Sequence, residues 1–71
     1  MKKNFAEIFG KHLCLLRNEK GITQKQFAKL LQVSESTYAN WEQGRREPCL
    51  YHLVEISKIL EVEMNTLFDF E

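Results

Sequence analysis

The chain has 71 residues, with ten Lys or Arg and ten Asp or Glu, so its formal net charge is zero. We expect a single domain over residues 1–71, because a chain this short has no room for a second core or an enclosed active-site cavity. It has no apolar run of roughly 18 residues, no apolar segment behind its basic start and no CxxC motif at Cys14 or Cys49, which argues against a membrane span, a signal peptide, a disulfide framework and a metal site.

The first predicted element is a helix from about Phe5 to Lys20. Four apolar residues at helical spacing mark the side expected to face the core: Phe5, Phe9, Leu13 and Leu16. Gly21 is expected to end this helix, because glycine takes the left-handed conformation that commonly follows a helix C-terminus. His12 in this helix, and His52 further along the chain, are interpreted as ordinary surface side chains.

The second helix is predicted to begin after Thr23, which forms a capping box with Gln26 three residues later. Ile22 and Phe27 flank the cap and are suited to form a hydrophobic staple around it. The residues expected to face the core from this helix are Phe27, Leu30 and Leu31.

The third helix is predicted to begin after Ser34, where Val33 and Tyr38 repeat the staple around a serine cap. The two predicted caps, Thr23 and Ser34, are eleven residues apart, so only a tight turn fits between the helices. Two short capped helices joined in this way form a helix-turn-helix, here over about residues 23–44.

The third helix, within the stretch VSESTYANWEQG, has two unlike sides. At about 100° per residue, Tyr38 and Trp41 share one side and are expected to pack in the core, with the Tyr38 hydroxyl reaching outward. The other side carries only one large charge and otherwise small or amide side chains: Glu35, Ser36, Ala39, Asn40 and Gln43. A slim side rich in hydrogen-bonding groups is suited to read a partner, and a plain solvated face is the alternative.

Two more helices are predicted, at about Leu50–Leu60 and Met64–Phe68. The residues expected to face inward from them are Leu50, Leu53, Ile56, Leu60, Leu67 and Phe68. Strand signals are absent from the sequence. The predicted fold class is therefore all-α, a compact bundle of about five short helices.

The charges are divided unevenly along the chain. Residues 1–48 have a balance of +4, and residues 49–71 have a balance of −4. The positive part contains the helix-turn-helix, so one side of the domain could face phosphates despite the zero net charge.

Nearly the whole chain resembles the lambda-repressor-like helix-turn-helix DNA-binding family, the Cro/C1 or XRE type. The resemblance rests on G-I-T-Q-x-x-F-A at residues 21–28, V-S-x-x-T-Y-x-x-W-E-x-G at residues 33–44 and R-x-P at residues 46–48. It implies a sequence-specific regulator of transcription that binds double-stranded DNA, a repressor acting as a homodimer on a palindromic operator. It also implies a bacterial or phage-encoded protein of the cytoplasm, associated with the nucleoid and needing no cofactor.

The resemblance implies roles for individual residues as well. Gln24 is similar to a glutamine that contacts a DNA phosphate, and Arg17 and Glu42 match a structural ion pair between the first and third helices. Contacts with bases in the major groove are implied for Glu35, Ser36, Ala39 and Asn40. Contacts with the sugar-phosphate backbone are implied for Ser34, Thr37, Gln43, Arg45 and Arg46.

The chemistry of these side chains fits the implied roles unequally. Asn40 can pair with adenine through two hydrogen bonds, Ser36 can donate or accept, and Ala39 offers a methyl group to thymine. Glu35 could accept from cytosine, but nearby phosphates would repel it. Its simplest role is to complement the helix dipole in the first turn.

The sequence departs from the family pattern at several positions. Gln32 and Glu61 stand where relatives usually have glycine, so a left-handed backbone there would be strained. Cys49 and Glu63 occupy cap positions although both are poor N-caps. These changes bear on helix ends and stability more than on function.

Some apolar residues lie outside the predicted core: Ile8, Leu15, Tyr51, Val54 and Phe70. They could form a self-association surface, although scattered exposed apolar residues are also normal. They motivate a second hypothesis, an antitoxin-like or adaptor module whose main surface binds another protein. An enzyme is not favoured, because no Ser/His/Asp, Cys/His or paired-carboxylate arrangement is readable.

Overall fold

The computed structural model describes residues 4–69, which form four α-helices and one short 3-10 helix without a strand. The helices are α1 (Phe5–Lys20), α2 (Gln24–Leu31), α3 (Glu35–Gln43) and α4 (Leu50–Leu60), followed by the 3-10 helix Met64–Phe68. The prediction of an all-α fold is confirmed, but the number of α-helices is four and not about five. The last segment has only five residues and no side-chain cap, and such short segments commonly adopt the tighter 3-10 form. Phe70 lies outside the described residues.

Side-chain caps fix the starts of the first three helices. The Asn4 side chain accepts hydrogen bonds from the backbone N–H groups of Ala6 and Glu7. The predicted capping box of α2 is complete, with Thr23 and Gln26 bonding each other's backbone N–H groups at 2.9 and 3.0 Å. The Ser34 side chain caps α3, as predicted, by accepting from the Thr37 backbone N–H. By contrast, neither Cys49 nor Glu63 makes a side-chain cap hydrogen bond.

The four α-helices all end on a residue in the left-handed conformation. Gly21 and Gly44 adopt it with φ of 76° and 78°, as glycine does without strain. Gln32 and Glu61 adopt it too, with φ of 62° and 60°, although both have a Cβ. The strain expected from the sequence is therefore present, at roughly 1 kcal/mol for each of these two residues.

The helix α1 crosses α3 at very close range because Gly10 lies at the crossing. A Cβ on Gly10 would come within 2.6 Å of the Trp41 carbonyl oxygen and 2.8 Å of the Glu42 carbonyl carbon. One turn earlier, the backbone of Glu7 packs against Gly44. The N-terminal half of α1 is thereby held against the C-terminal end of α3.

The core fills the space between α1, α2, α3, α4 and the 3-10 helix. Its largest fully buried side chains are Tyr38, Phe27, Leu13, Ile56 and Leu67. The other buried members of this cluster, at 2–5% exposure, are Phe9, Ala28, Leu31, Trp41 and Leu60. Of the residues expected in the core of the helix-turn-helix, Phe27, Leu31, Tyr38 and Trp41 are buried and Leu30 is not.

Four residues expected to face the core are instead exposed: Phe5, Leu30, Leu50 and Phe68. Viewed down the axis of α2, Leu30 is rotated about 60° from Phe27, away from the other buried residues of that helix. In α4, Leu50 is rotated about 90° from the buried side. Phe5 begins α1 and Phe68 ends the 3-10 helix, and their rings stack on each other at 6.3 Å between centroids.

The interpretation of both histidines as ordinary surface side chains was wrong. His12 is half-buried, and its Nε2 lies 2.8 Å from the Thr66 carbonyl oxygen, which joins α1 to the 3-10 helix. His52 is half-buried against the Trp41 ring at 5.1 Å between centroids. Of the apolar residues predicted to lie outside the core, Leu15 and Tyr51 are exposed.

Candidate DNA-binding surface

The outward side of α3 is held between a capped start and a glycine end. The Ser34 hydroxyl accepts from the Thr37 backbone N–H at 3.0 Å and donates to the Thr37 hydroxyl at 2.8 Å. It also lies 3.2 Å from the Ser36 hydroxyl, which must then be the donor. These three hydroxyl groups form one ordered cluster, and Thr37 keeps its own hydroxyl hydrogen for a further partner.

Aromatic packing fixes the inward side of α3. The Tyr38 ring meets Phe27 edge-on at 5.0 Å and Trp41 edge-on at 6.0 Å between centroids. Both rings of α3 are buried, as the sequence predicts. The Tyr38 hydroxyl, however, does not reach outward: it is buried beside the Glu42 carboxylate without a hydrogen bond of good geometry. Burial, aided by that carboxylate, raises the pKa of Tyr38.

A buried ionic network joins the C-terminal end of α1 to α3. Arg17 donates to both carboxylate oxygens of Glu42, from Nε at 2.5 Å and from Nη2 at 3.2 Å. The same guanidinium donates to the Ile22 carbonyl oxygen at 2.6 Å, which fixes the turn between α1 and α2. The ion pair between α1 and α3 that the resemblance implies is thus present, and it is shielded from solvent.

Gln24 completes this network, a contact that sequence reasoning missed. Its side-chain Nε2 donates to Glu42 Oε1 at 2.7 Å. An amide nitrogen has two hydrogens, so one N–H of Gln24 remains for a partner outside the protein. No sequence signal pairs these two residues, because the contact depends on how α2 packs against α3.

The electrostatics of the network follow from its hydrogen bonds. Burial of the Glu42 carboxyl opposes its ionisation, but the hydrogen bonds from Arg17 and Gln24 and the nearby Tyr38 hydroxyl outweigh burial. The pKa of Glu42 therefore lies below its usual range. The hydrogen bond to Glu42 raises the pKa of Arg17, so both partners remain charged.

Beyond α3 the chain turns back on the helix and presents two arginines. The backbone N–H groups of Arg45 and Arg46 both donate to the Asn40 carbonyl oxygen, at 3.0 and 3.4 Å. Their side chains are exposed, and neither forms an ion pair with another residue in the 4–69 range. Two cations therefore stand free at the C-terminal end of α3.

The structure leaves all ten residues for which the resemblance implies a DNA contact at least partly accessible. Seven are exposed: Ser34, Glu35, Ser36, Thr37, Gln43, Arg45 and Arg46. Three are half-buried: Gln24, Ala39 and Asn40. Nine of them lie on α3 or at its two ends. Gln24 lies at the start of α2 and is hydrogen-bonded to Glu42 of α3.

The dimensions of α3 suit a groove in duplex DNA. An α-helix with its side chains is about 10–12 Å across, and the major groove of B-DNA is roughly 12 Å wide, so a helix such as α3 can lie in it. The middle of its outward side, Ser36, Ala39 and Asn40, carries short side chains, which lets the helix backbone come close to a partner.

Other kinds of site find no support in the described part of the chain. No group of three or more His, Cys, Asp or Glu side chains between residues 4 and 69 is placed to hold a metal ion. None of the helices described is long and apolar enough to cross a membrane.

Comparison with known proteins gives consistent matches. A helix-turn-helix family model matches residues 15–67. The chain is 34% identical over 64 residues to the HTH-type transcriptional regulator YqaE of Bacillus subtilis, covering 90% of this chain and 55% of YqaE. It is 36% identical over 63 residues to the HTH-type transcriptional activator BcrR of Enterococcus faecalis, covering 89% of this chain and 31% of BcrR. The chain thus spans about half the length, or less, of these two relatives.

A solved structure shows the same likeness in three dimensions. The restriction-modification controller protein C.AhdI from Aeromonas hydrophila superposes with a TM-score of 0.84 at 30% identity. The match covers 89% of this chain and 96% of that one.

Proposed function

This chain belongs to the helix-turn-helix family, and from that membership we propose that it is a transcriptional regulator that binds double-stranded DNA with α3 in the major groove. The observation that carries the proposal is the two-sided construction of α3. Tyr38 and Trp41 anchor the helix from behind, while its outward side offers small and hydrogen-bonding groups at a size that fits the groove. The relatives named above as transcriptional regulators support the same function.

The proposed contacts divide into three sets. Glu35, Ser36, Ala39 and Asn40 face base edges, and of these Asn40 has the chemistry for a two-bond contact with adenine. Ser34, Thr37 and Gln43 approach the sugar-phosphate backbone. Gln24, Arg45 and Arg46 contact phosphates.

The contact proposed for Gln24 gains support from the ionic network. Glu42 holds one N–H of the Gln24 amide and so fixes the direction of the other. An amide fixed in this way loses less rotamer freedom on meeting a phosphate than one free in solvent. Backbone N–H groups at the start of α2 add to the attraction for an anion.

We further propose that the protein acts as a homodimer on a palindromic operator and represses by covering a promoter. Two copies of α3 would then occupy successive major grooves about 34 Å apart. Repression is the sign of regulation that we propose, although the relative BcrR is named an activator. As a regulator of bacterial or phage genes, the protein would work in the cytoplasm with residues 1–71 as one DNA-binding unit.

Selection of bound oligonucleotides from a random pool tests the proposal directly. Two inverted copies of one short motif, with centres about 10 base pairs apart, are expected. Enrichment of no motif, together with no retardation of any duplex at low salt, would contradict the proposal.

A matched pair of variants then separates base contacts from phosphate contacts. Arg45→Ala is expected to weaken binding to the selected site and to random DNA equally, and to reduce the salt dependence. Ser36→Ala is expected to weaken the selected site only.

A second function, binding of a protein partner as in an antitoxin or adaptor, is favoured by the exposed apolar residues. Leu15, Leu50 and Tyr51 are 61–70% exposed, so each offers apolar surface that a partner could cover. If this function is the main one, a partner of fixed stoichiometry should protect Tyr51 from chemical labelling while no duplex is retarded.

A further inference from the structure

A surface cleft lies between the N-terminal half of α1 and the C-terminal end of α3. It has a volume of about 510 Å³ and is lined by Glu7, Lys11, Glu42, Gln43 and Arg45. Two of these residues, Gln43 and Arg45, belong to the proposed DNA-binding surface. Lys11 comes from a different helix and has no role in the contacts proposed above.

The charges in the cleft favour an anion. Lys11 and Arg45 are both exposed, and neither is paired with an acidic group of residues 4–69. The charge of Glu42 is already bound by Arg17 and Gln24. Glu7 is the opposing charge, and its position in the first turn of α1 lets the helix dipole offset part of it. One positive charge remains in excess.

The position of Lys11 is fixed by the packing of its neighbour. Gly10 lies at the closest approach of α1 to α3, where a Cβ would overlap the α3 backbone. The backbone of Lys11 therefore cannot move far relative to Gln43 and Arg45. A DNA strand that passes Gln43 and Arg45 must also pass the mouth of this cleft.

We propose that Lys11 is a DNA-contacting residue that binds, together with Arg45, one backbone phosphate at the edge of the groove entered by α3. This inference rests on the proposed DNA-binding function and adds a contact from α1 to it. The ligand is a phosphodiester of duplex DNA, bound through charge alone and therefore without regard to base sequence. The contact would set how far α3 can rotate in the groove, because it holds the strand from a second helix.

Binding measured over a salt series tests the assignment. Fluorescence anisotropy with a labelled duplex is followed from 50 to 200 mM salt for the wild type and Lys11→Gln. Loss of one phosphate contact makes the negative slope of log affinity against log salt shallower by about 0.9. The factor by which affinity falls between 50 and 200 mM salt should therefore be about 3.5-fold smaller for Lys11→Gln than for the wild type. The loss should be equal on selected and random duplexes.

Two control variants sharpen the test. Lys58→Gln removes one exposed lysine on α4, outside the cleft, and should leave the slope unchanged. Glu7→Gln removes the opposing charge and should tighten binding. Circular dichroism of each variant checks that the fold is retained.

The outcomes separate the two claims. A wild type that binds no duplex at low salt overturns the proposed function and this inference with it. A wild type that binds, with Lys11→Gln giving the wild-type slope, overturns the inference alone. A slope reduced in Lys58→Gln as much as in Lys11→Gln would also overturn it, because the effect would then be one of net charge.

Discussion

Replacement of Gly10 by alanine sets two physical effects of opposite sign against each other. Alanine in place of glycine within a helix is favourable by about 1 kcal/mol. The new Cβ would, however, lie 2.6 Å from the Trp41 carbonyl oxygen and 2.8 Å from the Glu42 carbonyl carbon. Both separations are well inside the roughly 3.5 Å at which nonbonded atoms attract each other.

The contact is expected to dominate. Both clashing groups belong to the α3 backbone and cannot rotate away, so the cost should reach the upper part of the 1–3 kcal/mol range for overpacking. After the gain in helix propensity, the net loss is about 2 kcal/mol. For a domain of this size, this lowers the unfolding temperature by roughly 8–16 °C.

Thermal unfolding followed by circular dichroism measures this loss, with Gly21→Ala as the matched control. Unlike Gly10, Gly21 has a positive φ, of 76°, but no atom lies within 4 Å of its Cβ position, so only backbone strain of about 1 kcal/mol is expected. A Gly10→Ala variant that unfolds at or above the wild-type temperature would refute the argument, since helix propensity would then outweigh the close crossing.

Four further predictions concern other parts of the molecule. Glu42→Gln leaves the buried Arg17 charge without an opposite charge and should lower the free energy of unfolding in urea by about 3–5 kcal/mol. Because the pKa of Glu42 is lowered in the native state, wild-type stability should fall as the pH drops below about 4.3, and the same acid slope in Glu42→Gln would contradict this. Asn40→Ala should reduce discrimination at one base pair by about 1–3 kcal/mol in competition binding, whereas equal loss on random DNA would argue against a base contact. Gln32→Gly should raise the free energy of unfolding by up to about 1 kcal/mol by relieving a left-handed backbone with φ of 62°, and a decrease would show that this strain is absent.

The helix limits could be predicted because the signals that set them are local. Thr23, Gln26 and Ser34 bond backbone groups within three residues, so neighbouring sequence positions contain the whole interaction. The burial of Phe27, Tyr38 and Trp41 could be predicted for a similar reason, because their spacing on short helices leaves few ways to bury them together.

Other features depend on how the helices are placed relative to one another. The exposure of Leu30 and Leu50 shows that an apolar residue beside the buried stripe of a helix is covered only if a neighbouring helix reaches it. The hydrogen bond from Gln24 to Glu42 and the burial of the Tyr38 hydroxyl also come from tertiary packing. The same is true of the cleft that contains Lys11, because it forms only where α1 crosses the end of α3.

The burial of Trp41 has a practical consequence for experiments. It is the one tryptophan in the chain, it is 4% exposed, and it sits directly behind α3. Its intrinsic fluorescence therefore reports on the support of this helix without any introduced label. If the protein docks on a partner as a rigid body, the emission maximum should stay constant on binding and shift to longer wavelength only when the domain unfolds.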